Sequence, residues 1–123
     1  MYNEKTIVVA GASQKPERYS NKCVLKLKDA GFNVIPVNPA QEEILGLKTA
    51  QKLSDIETEV HTVTMYVGRK ISDNMGEDLI KLSPQRVIFN PGAENPEIED
   101  LLAKSGIEVV NACSLVMLST GQF

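Results

Sequence analysis

The stretch VVAGASQKPERYSNK, residues 8–22, gathers the residue types needed to hold an anion. An apolar run breaks at Gly11, where the chain can turn tightly. Ala12 and Ser13 are small, so an oxyanion can approach their backbone N–H groups. Lys15 and Arg18 add full charges, and Lys22 lies one turn into the helix expected to follow, against the single acid Glu17. A helix N-terminus at this point adds a further positive end. The competing reading is a polar strand-to-helix loop with solvated charges. Cys113 is the one nucleophile candidate, placed after the last expected strand, where backbone N–H groups can lower a thiol pKa. No histidine has an evident reason to stand beside it. Packing or ligand contact is therefore its plainer role, and Cys23 reads as core. The acids Glu42, Glu43, Glu97, Glu99 and Asp100 read as solvated faces, and Met65, Met75 and Met117 as core filling.

The elements that must position these groups alternate strand and helix. Strands are expected at Lys5–Ala10, Phe32–Val37, Val60–Val67, Arg86–Phe89 and Ile107–Val110. Helices are expected at Asn21–Ala30, Ser72–Leu82 (with Ser72 as N-cap) and Pro96–Lys104. Residues 41–53 read as a turn around Ile44–Leu47 and a small helix. Pro36 places the second strand near an end or an irregular point. The pattern predicts an α/β fold: a Rossmann-like, doubly wound, five-stranded parallel sheet in the order 3-2-1-4-5, as a single domain over residues 1–123. Ligands of such sheets bind beyond the carboxyl ends of the strands. The residues there are Gly11–Ala12–Ser13, Asn38–Pro39, Gly68–Arg69, Asn90–Pro91–Gly92 and Asn111–Ala112–Cys113.

Composition limits the ligand class. Hydrophobic residues make up 42% of the 123 and charged residues 24%, with a net charge of −3. No overall positive field draws in nucleic acid or an acidic membrane. No apolar run is long enough to span a bilayer, and MYNEKTIVV lacks the features of an export signal. A cytoplasmic location with two reduced thiols is expected. One histidine and no CxxC argue against a zinc or iron–sulfur site. The dinucleotide fingerprint GxGxxG also fails, since Ser13 and Pro16 stand where its later glycines belong. The ribose-gripping acid expected for NAD is replaced by Asn38. An acid there would repel a ribose carrying its own phosphate, so coenzyme A or NADP fits better than NAD.

Five segments together resemble the small stand-alone CoA-binding proteins of the Rossmann class, similar to the CoA-binding domain of the succinyl-CoA synthetase alpha subunit. They are VVAGASQKPERYSNK (8–22), VIPVNPAQEEILG (34–46), VTMYVGRK (63–70), VIFNPGAENPE (87–97) and GIEVVNACSLVMLSTG (106–121). The resemblance implies that coenzyme A or an acyl-CoA is bound. Gly11, Ala12, Ser13, Lys15 and Arg18 would hold its phosphates, and Asn38 and Pro39 would sit by ribose and adenine. Tyr66, Val67 and Gly68 would flank the nucleotide. Asn90, Pro91 and Gly92 would border the site, with Cys113 at the far side, where a mixed disulfide with the ligand thiol is a second role for it. The synthetase subunit continues into a domain with a phosphorylated histidine. The sole histidine here, His61, falls inside the third expected strand, so ligase chemistry does not transfer. The expected function is CoA binding without catalysis. The alternatives are a component of an acyl-CoA ligase or transferase that works with a protein partner, and an NAD(P)-binding redox regulator.

Overall fold

The computed structural model describes residues 5–123; the opening MYNE, part of the stretch read above for export, lies outside them. Five parallel strands form the sheet: β1 (Thr6–Ala10), β2 (Asn33–Val37), β5 (Thr62–Met65), β6 (Arg86–Phe89) and β7 (Glu108–Asn111). A two-stranded hairpin, β3 (Glu43–Ile44) and β4 (Leu47–Lys48), follows β2. Strands β1 and β5 are buried along almost their whole length, because helices cover both faces of the sheet. Ile7 and Val9 face a cluster with Cys23, Val24 and Leu27 of α1 (Tyr19–Asp29), joined by Leu115 and Leu118 of α5 (Ser114–Ser119). Val8, Ala10, Val63 and Met65 face the opposite cluster. It contains Leu79 of α3 (Gly76–Leu82) and Ile98 and Leu102 of α4 (Pro96–Lys104). Alternate residues of each strand thus feed two cores, and the fold is the expected Rossmann-like α/β sheet.

The strand order differs from the expected one. Counting the five sheet strands along the chain, it is 2-1-3-4-5 rather than 3-2-1-4-5: β5 pairs with β1, not outside β2. The cause is visible at Pro36. On the outer edge of β2, the Pro36 carbonyl accepts from Ala50 and the Asn38 N–H donates to the Ala50 carbonyl. Proline offers no N–H on that edge, so a full strand cannot pair there, and one bridging residue closes it. The chain therefore crosses back, and the switch point falls between β1 and β5.

Two local expectations are also revised. The helix expected over Ser72–Leu82 is two pieces, α2 (Arg69–Ser72) and α3, and Ser72 ends the first instead of capping the second. The buried Asn95 causes the break, donating to Ser72 Oγ and Asp73 Oδ1, both at 2.8 Å. Gly76 permits the restart close to α4, since a Cβ there would lie 2.9 Å from Leu101 Cδ2. The turn expected around residues 44–47 is the β3–β4 hairpin, with Leu45 and Gly46 at positive φ. The small helix after it is a single 3₁₀ turn, Leu53–Asp55.

Candidate functional site

The loop between β1 and α1 is held from several sides. Gly11, at φ +83°, sits directly under the exit of β5, and a Cβ on it would come within 2.8 Å of Val67 Cγ1 and 3.0 Å of the Tyr66 carbonyl carbon. Ala12 donates its N–H to the Val37 carbonyl at 3.1 Å and accepts from Asn38 Nδ2 at 2.8 Å through its own carbonyl. Asn21 Nδ2 holds the Ser13 carbonyl at 2.9 Å, and Gln14 Nε2 reaches the Glu43 carbonyl at 3.1 Å. The N–H of Ala12 is thus spent on the sheet and does not meet a ligand as expected. Those of Ser13 and Gln14 have no partner among the described residues. Helix α1 has no acid in its first turn and no side-chain cap, so its terminal amides keep their positive end. Lys15 and Arg18 are exposed and make no ion pair among the described residues, while the Lys22 ammonium lies 5.5 Å from the centre of the Tyr19 ring. A turn held on four sides, with uncommitted donors and cations, is preorganised for an oxyanion.

Asn38 explains the missing acid. Its Nδ2 must donate to Ala12, while Oδ1 accepts from the N–H groups of Ala40 and Gln41 at 2.7 and 3.1 Å. A carboxylate could make only the second pair of bonds and would face the Ala12 carbonyl. Replacing Asn38→Asp is expected to cost about 2 kcal/mol, the order of leaving one buried carbonyl against a charge. Urea denaturation of the two proteins checks this, with equal midpoints as the contrary result.

Next to this turn, between the ends of β1 and β2 and helices α2 and α3, lies a cleft of about 340 Å³. Of the expected site residues, Gly11, Ala12, Asn38, Pro39 and Val67 line it. The sequence reading missed Gln51, Lys52 and Leu53, which continue the wall from the outer edge of β2, and Ile71, Met75 and Asp78, which form the facing wall from α2 and α3. Ser13, Lys15 and Arg18 lie along the loop outside the cleft. Gly68 is the N-cap of α2, its carbonyl accepting from Ile71 and Ser72.

The other expected residues take different places. Asn90 is buried with its amide fully engaged: Nδ2 donates to Thr64 Oγ1 and the Met65 carbonyl, and Oδ1 accepts from the Ser114 N–H. It builds the rim without offering it a free group. Pro91 and Gly92 are exposed at the end of β6. Tyr66 turns its ring to the α1 side, where its hydroxyl is buried without a hydrogen-bond partner among the described residues. Burial and the neighbouring Cys23 thiol push its pKa far up. Burial likewise pushes the Cys23 thiol up to about 11, so Cys23 is an inert core thiol. Cys113 is half-buried at the N-cap of α5, beyond the end of β7. His61 precedes β5 instead of lying within it, at the amino end of the sheet and far from the rim. Burial, then the charges of Lys5 and Arg86, hold its pKa below the ordinary value. No group of three or more His, Cys, Asp or Glu among the described residues is placed to hold a metal ion, and no helix among them is long and apolar enough to cross a membrane.

Residues 5–119 match the family described as CoA binding domain. The chain belongs to this family. It is 27% identical over 110 residues to Uncharacterized protein YneT of Bacillus subtilis (strain 168), covering 89% of this chain and 82% of that one. The alpha subunit of acetate–CoA ligase (ADP-forming) II from Pyrococcus furiosus is 33% identical over 70 residues, 56% of this chain but only 15% of that subunit. A crystal structure of an uncharacterized protein superposes with a TM-score of 0.91 at 39% identity, covering 98% of this chain and 99% of the other. All five segments that resembled CoA-binding proteins straddle carboxyl ends of the five parallel strands. In this CoA binding domain the five strand ends therefore meet at one edge of the sheet, although Ser13 and Asn111 lie 98 positions apart.

Proposed function

We propose that the protein binds coenzyme A, or an acyl-CoA, along the carboxyl edge of the sheet and performs no chemistry on it alone. The observation that carries this reading is the Gly11 turn, a cradle that a Cβ would fill, held in shape by Asn38, Asn21 and Gln14 and flanked by Lys15 and Arg18, which make no ion pair among the described residues. The donor set fits a diphosphate: two uncommitted backbone N–H groups, an unneutralised helix end and two cations. Ribose and adenine would occupy the adjoining cleft, whose walls are mainly apolar. The pantetheine arm would then run past β6 toward Cys113. Metabolically, such a domain is a carrier or sensor of the CoA pool.

A thermal-shift series with CoA, dephospho-CoA, NAD and NADP tests the reading. A ligand present at about 100 times its dissociation constant stabilises the fold by about 2.7 kcal/mol, and CoA is expected to give the largest shift. Arg18→Ala should weaken CoA about tenfold, the lower end of a charge-assisted hydrogen bond at an exposed site, and leave the melting point of the free protein unchanged. An unchanged CoA affinity in that variant removes Arg18 from the site, and no shift with CoA removes the proposal.

The partial match to a ligase alpha subunit favours a second reading, in which the protein is one component of an acyl-CoA ligase whose nucleotide-activating part is a separate chain. Affinity capture that recovers a partner with an ATP-binding domain, together with acyl-CoA formation by the pair but not by either alone, would establish it.

A further inference from the structure

We infer that two side chains of the cleft, Asp78 and Lys52, read opposite ends of a 3′-phosphorylated adenosine: Asp78 accepts from the exocyclic amine of the base, and Lys52 binds the phosphate on the ribose. This rests on the CoA reading above and deepens it. Most of the cleft wall is apolar, from Val37, Pro39, Leu53, Val67, Ile71 and Met75. Such walls hold a flat base without saying which one. Among the described residues, four polar side chains line it: Asn38, Gln51, Lys52 and Asp78. Asn38 is committed to Ala12, Ala40 and Gln41.

Lys52 and Asp78 carry opposite charges on one cleft yet form no ion pair with each other or with any other described residue. Each is left to a ligand. Their positions also sort its orientation. Lys52 comes from the segment that leads from the β2 edge into the 3₁₀ turn, on the side of Asn38 and Pro39, where the ribose is expected. Asp78, half-buried in the first turn of α3, belongs to the facing wall. A carboxylate only accepts. It matches the N6 amine of adenine, opposes an oxygen at the same position, and repels the phosphates toward the Lys15 and Arg18 loop. No acid stands at residue 38 to repel a ribose phosphate, so Lys52 can attract one.

Calorimetric titration of the full chain with three ligands tests this: CoA, dephospho-CoA, and the hypoxanthine analogue of CoA, which replaces the N6 amine by an oxygen of the same size. The wild-type protein should prefer CoA to each analogue by about tenfold or more. Lys52→Ala should erase the preference over dephospho-CoA and keep that over the hypoxanthine analogue. Asp78→Asn supplies an amide N–H that can donate to the new oxygen, so it should erase or reverse the preference over the hypoxanthine analogue and keep that over dephospho-CoA. Asp78→Ala should remove that same preference without reversing it. If CoA binds and either variant keeps every preference of the wild type, the role assigned to that side chain is wrong. If the wild-type protein binds none of the three, the CoA reading itself falls.

Discussion

Replacing Gly11→Ala is expected to destabilise the protein by about 3 kcal/mol and to abolish CoA binding. Two costs add. A side chain at φ +83° carries the left-handed penalty of roughly 1–2 kcal/mol. The new Cβ would also lie 2.8 Å from Val67 Cγ1 and 3.0–3.1 Å from the Tyr66 carbonyl atoms, and backbone gives way less readily than a flexible side-chain tip. Overpacking of that kind costs about 1–3 kcal/mol. Relief requires the β1 exit and the β5 exit to separate, which moves the turn that the phosphates are proposed to contact. Gly92→Ala separates the two costs, since Gly92 has φ +91° with nothing within 4 Å of its would-be Cβ. That variant should lose about 1 kcal/mol. Urea melts of both variants, followed by CoA titration, measure the difference. Equal losses would show that the contact between Gly11 and β5 carries no weight.

The same contrast shows how much the sequence disclosed. Gly11, Lys15 and Arg18 were legible because they lie within eight residues of one another, and a turn with charges is a local pattern. The alternation of strand and helix was legible because apolar runs such as TIVVA and VIFN mark strands buried on both faces. The strand order was not, although Pro36 carried the clue. Its missing N–H matters only once the side of β2 on which it falls is known, and that depends on pairing with β1. The cleft wall was hidden for a similar reason. Lys52, Ile71 and Asp78 resemble ordinary surface positions until the crossovers bring residues 50–53 and 69–78 against Asn38. The break in the expected helix at residues 73–75 is likewise set by Asn95, more than 20 residues away. Tyr66 was assigned to the ligand through the family resemblance, but strand parity sends its ring to the α1 core.

Parity also decides Asn90, for which the substitution Asn90→Asp is expected to cost about 4 kcal/mol at neutral pH. The side chain is buried and joins three elements: its amide donates to Thr64 Oγ1 at 2.7 Å and to the Met65 carbonyl at 2.8 Å, and its oxygen accepts from the Ser114 N–H at 2.8 Å. Because Thr64 Oγ1 already accepts from Asn90, its own hydrogen is free to reach Ser114 Oγ, also at 2.8 Å, so β5, β6 and the start of α5 share one chain of bonds. The substitution keeps the shape and the acceptor but turns the donor into an acceptor facing a carbonyl, with a buried charge added. Burial raises the folded-state pKa of the introduced carboxyl above its unfolded value of about 3.9. Between those two values the folded state binds more protons than the unfolded one, so stability falls as pH rises through that window, by about 1.4 kcal/mol per unit. Below it the carboxyl is protonated in both states and can donate one of the two lost bonds. Urea midpoints at pH 4 and pH 7, each compared with the wild-type protein at the same pH, should therefore show a gap that narrows on acidification. A gap independent of pH would mean that water reaches the residue and that the rim of the site is held by backbone pairing alone. A narrowing gap ties the position of Cys113, which precedes Ser114, to an uncharged amide at the end of the neighbouring strand.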